Sequence, residues 1–99
     1  MAVVEEQSGR VMPTLLVVVE EAFAAGPHDL VLHPRIVVQA ASSQPFAVEL
    51  RTPEGTRLSA TARLDLAHLR NAQGTFALVR LLNRDVHAAP PGTEVWRIE

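Results

Sequence analysis

The chain of 99 residues contains no cysteine and no lysine, and the longest apolar run in its first half, Leu15 to Val19, is five residues. Each absence excludes something. Without cysteine there is neither a disulfide framework nor a cysteine-ligated zinc site. Without lysine no G-x-x-x-x-G-K-[ST] loop can exist, so a P-loop nucleotide site is excluded and no bound nucleotide or other cofactor is expected. Five apolar residues fall far short of the roughly 20 that a spanning helix needs. Glu5 and Glu6 stand where a secretory signal would carry basic residues before an apolar stretch. The expectation is a cytoplasmic protein with no membrane partner.

What is present is ordinary globular composition: 47% hydrophobic, 20% charged, formal net charge −2. The length fits one domain and leaves no room for a two-domain enzyme. A chain of this size buries roughly 60–65% of its unfolded surface. Phosphate neutralisation drives broad nucleic-acid binding, and domains that do it are strongly basic; the acidic balance argues against that class. The nine arginines are scattered from Arg10 to Arg97. That scatter reads as a genome-level Arg-for-Lys bias, since a functional use would place arginine's bidentate fork at one site.

Along the chain, residues 1–12 show no period and carry the flexible pair Ser8-Gly9, so they read as an N-terminal arm or an added edge strand, with a single domain over 13–99. Thr14 to Phe23 reads as one strand, apolar enough to be covered on both faces for part of its length. Gly26-Pro27-His28-Asp29 is a turn signal. Leu30 to Val38 is strand-like but contains Pro34, which marks an edge, a bulge or a break. Ala40 to Gln44 is a loop. Phe46, Val48 and Leu50 alternate with Ala47, Glu49 and Arg51. After Thr52-Pro53-Glu54-Gly55, Leu58, Ala60, Ala62, Leu64 and Leu66 alternate with Arg57, Ser59, Thr61, Arg63 and Asp65. Two period-two runs around such a turn predict a β-hairpin. Ala67 to Gly74 is a connection with room for one helical turn at 67–72. Thr75 to Leu82 and Thr93 to Ile98 are further strands, separated by the loop Asn83 to Gly92. Six strands without a convincing helix predict an all-β fold, and closure into a small antiparallel six-stranded barrel would remove exposed edges.

The order of these segments resembles the second domain of elongation factor Tu and related translational GTPases. Val19-Glu20-Glu21-Ala22-Phe23 is similar to that family's opening V-E-D-V-F strand, and Gly26 to Leu32 takes the place of its following glycine turn and strand. Ala47-Val48-Glu49-Leu50 matches a strand ending V-E-L. Leu78 to Leu82, Arg84-Asp85-Val86 and Pro91-Gly92-Thr93-Glu94-Val95 follow in the family's order. The resemblance spans residues 15 to 98, and it departs at His33-Pro34-Arg35 and at Gln44 to Val48. It implies a six-stranded barrel. It also implies that Glu20, Glu21 and Phe23 match positions lining the crevice that holds the aminoacyl end of tRNA against the GTPase domain. With one wall of that crevice, a docking platform for protein is the expected use.

The chemistry-bearing residues point the same way. Glu20 and Glu21 are adjacent on a predicted strand and face opposite sides, so they do not form an acid–base pair. His28, His33, His68 and His87 have no metal-ligand spacing, although Asp29 and His33 share a face, and no metal is expected. Ser42, Ser43 and Ser59 sit in no G-x-S-x-G elbow; no catalytic residue is assigned and the chain reads as non-enzymatic. Trp96 is expected to pack the core or plug one end, its N–H reaching a carbonyl. Arg57 and Arg63, on the outer face of the hairpin, are candidate interface anchors together with Trp96. The leading expectation is an interaction module binding a protein partner or itself as a homodimer. RNA or ribosome binding is the alternative.

Overall fold

A computed structural model describes residues 12–38, 44–67 and 75–98. They form seven strands: β1 (Thr14–Val18), β2 (Glu21–Ala25), β3 (Asp29–Val38), β4 (Phe46–Arg51), β5 (Arg57–Ala67), β6 (Thr75–Leu82) and β7 (Glu94–Arg97), with one 3-10 turn at Val86–Ala88. All neighbours are antiparallel in the order β1-β7-β4-β5-β6-β3-β2. The sheet curls into a half-barrel. Its concave face holds the core, with Leu30, Leu32, Val48, Leu50, Val79, Leu81 and Val95 wholly buried. No helix among the described residues is long and apolar enough to cross a membrane.

The predicted hairpin is β4–β5, in register from Phe46↔Ala62 to Arg51↔Arg57. The alternating residues of β4 are buried and half-buried in turn. At the turn, Gly55 takes φ 94° and its N–H donates to the Thr52 carbonyl at 2.9 Å. A positive φ there is why glycine occupies the position.

The closed six-stranded barrel is corrected to a seven-stranded half-barrel. The stretch Thr14 to Phe23 is two strands, not one. At its middle, the Val19 N–H donates to the Thr93 carbonyl at 2.8 Å and the Val19 carbonyl accepts from Gly92 N–H at 2.7 Å. The next N–H, of Glu20, donates to the His33 carbonyl at 2.8 Å. The chain thus changes partner within two residues. β1 is committed to β7 and β2 to β3, so the two take opposite ends of the sheet, and among the described residues no ladder joins one to the other. β1 is also not covered on both faces. Val17 is buried, whereas Leu15 and Val18 are 42% and 44% exposed, because the register slips between Leu15 and Val17 and leaves both outward.

Pro34 has the predicted effect. The pairing of β3 with β6 is irregular between Leu32 and Ile36, since proline offers no N–H to the ladder; the His33–Pro34 peptide is cis. β2 pairs only with Asp29 to His33, so the second half of β3 has a neighbour on one side. The arm at residues 1–11, the loop at 40–43 and the helical turn considered beyond Ala67 lie outside the described residues.

Candidate functional site

Two patches on the convex face gather the side chains with chemical character. The first crosses β2, β3, β6 and β5. Strand register sets Phe23, Val31, Arg80 and Arg63 in one cross-strand row. Arg80 lies at its centre because β6 runs between β3 and β5. Its Nε donates to Asp29 Oδ2 at 2.9 Å and its Nη1 to Asp65 Oδ2 at 3.1 Å. The planar fork suits two carboxylates on either side of one strand. The second oxygen of Asp29 accepts from the Asn83 N–H at 3.1 Å, and Arg63 Nε stands 3.7 Å from Asp65 Oδ1. The hydrogen bond from Arg80, then that from the Asn83 amide, holds the Asp29 carboxyl below its ordinary range. The same bonds to Asp29 and Asp65 raise Arg80. At the rim, Phe23 is 48% exposed and meets His33 edge to face, centroids 5.0 Å apart.

The second patch crosses β5, β4, β7 and β1. Arg51 is opposite Arg57 on β5 and opposite Glu94 on β7. Its Nε is 2.7 Å from Glu49 Oε1, and its guanidinium lies 4.7 Å over the Trp96 ring. Trp96 Nε1 donates to Glu94 Oε1 at 2.9 Å. Next to this charged lattice the register places Leu15 beside Trp96 and Val18 beside Glu94. The patch therefore grades from ionic at β4 to apolar at β1.

A shallow groove of ≈ 500 Å³ runs between the β2–β3 turn and the loop after β6, lined by residues that include His28, Asp29, Arg84, Asp85 and Val86. Its polar groups already have structural duties. Asp29 holds Arg80 and Asn83, Arg84 Nη2 donates to the Ser59 carbonyl, and Asp85 Oδ1 caps the 3-10 turn by accepting from His87 N–H at 3.0 Å.

The residues singled out in the sequence are thus distributed as follows. Glu20 and Glu21 are both exposed at the corner between β1 and β2, and Phe23 stands two residues on. Phe23 and Arg63 share a row, three strand spacings apart, or about 14 Å. Arg57 belongs to the other patch, with Arg51 between it and Trp96. Trp96 is corrected: it is half-buried on the convex face, not in the core, and its N–H reaches a carboxylate. Alternation explains this, because Val95 takes the inward position of β7. His28 sits in the predicted turn before β3. Among the described residues no group of three or more histidine or acidic side chains is placed to hold a metal ion.

Sequence reasoning missed the Asp29–Arg80–Asp65 cluster. Asp29 and Arg80 are 51 positions apart, and no local spacing signals a pair made across strands. The face shared by Asp29 and His33 was the only hint.

No protein-family model matches the chain, and neither a curated protein nor a solved structure matches it. The fold and the two patches define an all-β, curled-sheet domain whose functional reading rests on its own residues.

Proposed function

We propose that this chain is a non-enzymatic interaction module, resembling the second domain of elongation factor Tu, that docks protein through its convex face and sheet ends. One observation carries the reading. Both end strands expose large apolar side chains, Leu15 and Val18 on β1 and Phe23 on β2, on either side of the Val19–Glu20 corner. Exposed apolar groups beside fixed polar ones are the composition of a docking surface. On the convex face Arg51, Glu49, Glu94, Asp29, Arg80 and Asp65 are tied to one another or to Trp96 in ion pairs and hydrogen bonds, which suits a shaped surface better than acid–base work. Glu20, Glu21 and Phe23, the positions carried from the resemblance, fall on that corner and are assigned here to partner contact.

The experiment is a photo-reactive phenylalanine analogue at position 23 of the full chain, irradiated in extract. The expected adducts are destroyed by protease and survive nuclease. Adducts whose added mass is removed by nuclease, together with salt-sensitive tRNA binding, would replace the protein reading by the RNA one.

A further inference from the structure

Among the described residues, every arginine but two is engaged by a carboxylate or a ring. Arg51, Arg63 and Arg80 stand against Glu49, Asp65 and Asp29, and Arg35 and Arg97 lie over Phe76 and Phe46. The two with neither are Arg57 and Arg84, and both come to Ser59. Arg57 is two positions earlier on β5 and so on the same face. Arg84 arrives from β6. That strand's ladder with β5 stops at Thr61↔Leu82, Asn83 turns the chain at φ 58°, and Arg84 Nη2 donates to the Ser59 carbonyl. The bond fixes the guanidinium beside β5 just past the end of the ladder. Arg84 is half-buried there, and its other N–H groups have no partner among the described residues.

A depression of ≈ 570 Å³ opens at this point, with Ala47, Ser59, Thr61, Leu82 and Arg84 in its lining. Ala47, Thr61 and Leu82 form one cross-strand row, and the short side chain of Ala47 leaves the hollow. The Ser59 and Thr61 hydroxyls are exposed, stand about 7 Å apart along β5 and have no partner among the described residues. The carboxylate in register with Ser59 is that of Glu49, and Arg51 Nε already holds it at 2.7 Å.

We propose that this depression is an oxyanion site, taking a carboxylate or phosphate group between the Arg84 guanidinium and the Ser59 and Thr61 hydroxyls. Arg57 adds positive charge from two residues away. The guanidinium only donates, and the hydroxyls are free to donate, so the ligand must accept several hydrogen bonds at once. Two or three oxygens on one charged centre do that, and a guanidinium fork suits them in geometry and in sign. The inference goes beyond the interaction-module reading and does not rest on it. Two sources carry such a group: inorganic phosphate and the acidic side chains of a polypeptide.

Nitrogen-15 NMR spectra of the full chain, at fixed ionic strength near neutral pH, test the site by titration with inorganic phosphate and, separately, with a hexaglutamate peptide. The variants are R84Q, T61V and the control R35Q, which loses the same charge from a ring contact elsewhere. The expected result is saturating shifts centred on Ser59, Thr61 and Arg84, weakened about tenfold in R84Q, about threefold in T61V and not at all in R35Q. T61V leaves Arg84 and its bond to Ser59 in place, so the test survives a folding defect in R84Q, which the spectra would reveal. Saturation by phosphate alone assigns a phosphate group, and saturation by the peptide assigns carboxylates. Shifts that do not saturate by about 50 mM, or that appear equally at every arginine, mean an adventitious ion only and overturn the site. Binding that R84Q and T61V both leave unchanged overturns it too. Loss of the site with protein adducts still formed at position 23 would leave the interaction-module reading standing.

Discussion

At the scale of single residues, the corner that splits the first predicted strand is held by a small set of groups. Thr93 is wholly buried, its Oγ1 donates to the Pro90 carbonyl at 2.6 Å, and its own carbonyl receives Val19 N–H. Thr93→Val keeps the shape and removes the hydroxyl; a loss of about 1–2 kcal/mol in urea unfolding is expected. Gly92 and Gly55 form a sharper pair. Both have φ near 93–94°. A Cβ at Gly92 would stand 3.0 Å from Pro53 Cγ, whereas one at Gly55 meets nothing within 4 Å. Gly55→Ala therefore carries the conformational cost alone, about 1–2 kcal/mol. Gly92→Ala carries that cost and a steric one, and its midpoint in the same assay should be the lower of the two.

Asp29 supplies the pH dependence at this scale. Its folded pKa is depressed, so its contribution to stability is complete above the unfolded value of about 3.9 and is lost as pH falls through the folded value. Asp29→Asn should lower the melting temperature at pH 7, with the gap to wild type closing as both are titrated toward pH 2. A gap that stays constant with pH would mean that the Arg80 and Asn83 contacts do not depend on the carboxylate charge.

At the scale of elements, β4 and β5 were legible because strict alternation and a Pro–Gly turn leave one register open. The Pro34 irregularity was legible for a similar reason, since proline acts locally. The break at Val19–Glu20 was not. No glycine or proline marks it, and the run Val17-Val18-Val19-Glu20-Glu21 is as good a strand as its neighbours. The change of direction is imposed by two carbonyls, of Thr93 and His33, far away in sequence. The outward turn of Leu15 and Val18 was hidden likewise, because a register slip against β7 has no signature in β1 itself. Trp96 misled because size argues for burial while strand parity decides it. The two patches were half legible. Arg57, Arg63 and Trp96 were singled out by residue type and Phe23 by the resemblance, but their grouping into Arg63 with Phe23 and Arg57 with Trp96 depends on strand order. Packing at this scale is also testable. Leu32 on β3 is wholly buried in the core beside its cross-strand partner Val79, so Leu32→Ala should cost about 2–5 kcal/mol. Leu15→Ala, on the open face, should change monomer stability by about 0.5 kcal/mol or less. Comparable losses from the two would place Leu15 in a core that the fold does not give it.

At the scale of the whole molecule, a curled sheet with two ends is a different object from a closed barrel. Closure would have removed the edges, and with them the simplest route to association. Here β1 approaches β3 across the gap but, among the described residues, no ladder closes the sheet, and exposed apolar side chains flank the Val19–Glu20 corner. The acidic net charge keeps polyanions at a distance over most of the surface, with Arg57 and Arg84 as the local exception. On the proposed reading these end strands are where the molecule meets protein. Hydrogen exchange of the full chain, free and with the protein captured at position 23 bound, tests that reading most directly. Amides of Leu15 to Val18 should exchange more slowly in the bound form, while those of the β4–β5 hairpin stay unchanged. Exchange in β1 that is unaltered by the bound protein would contradict it.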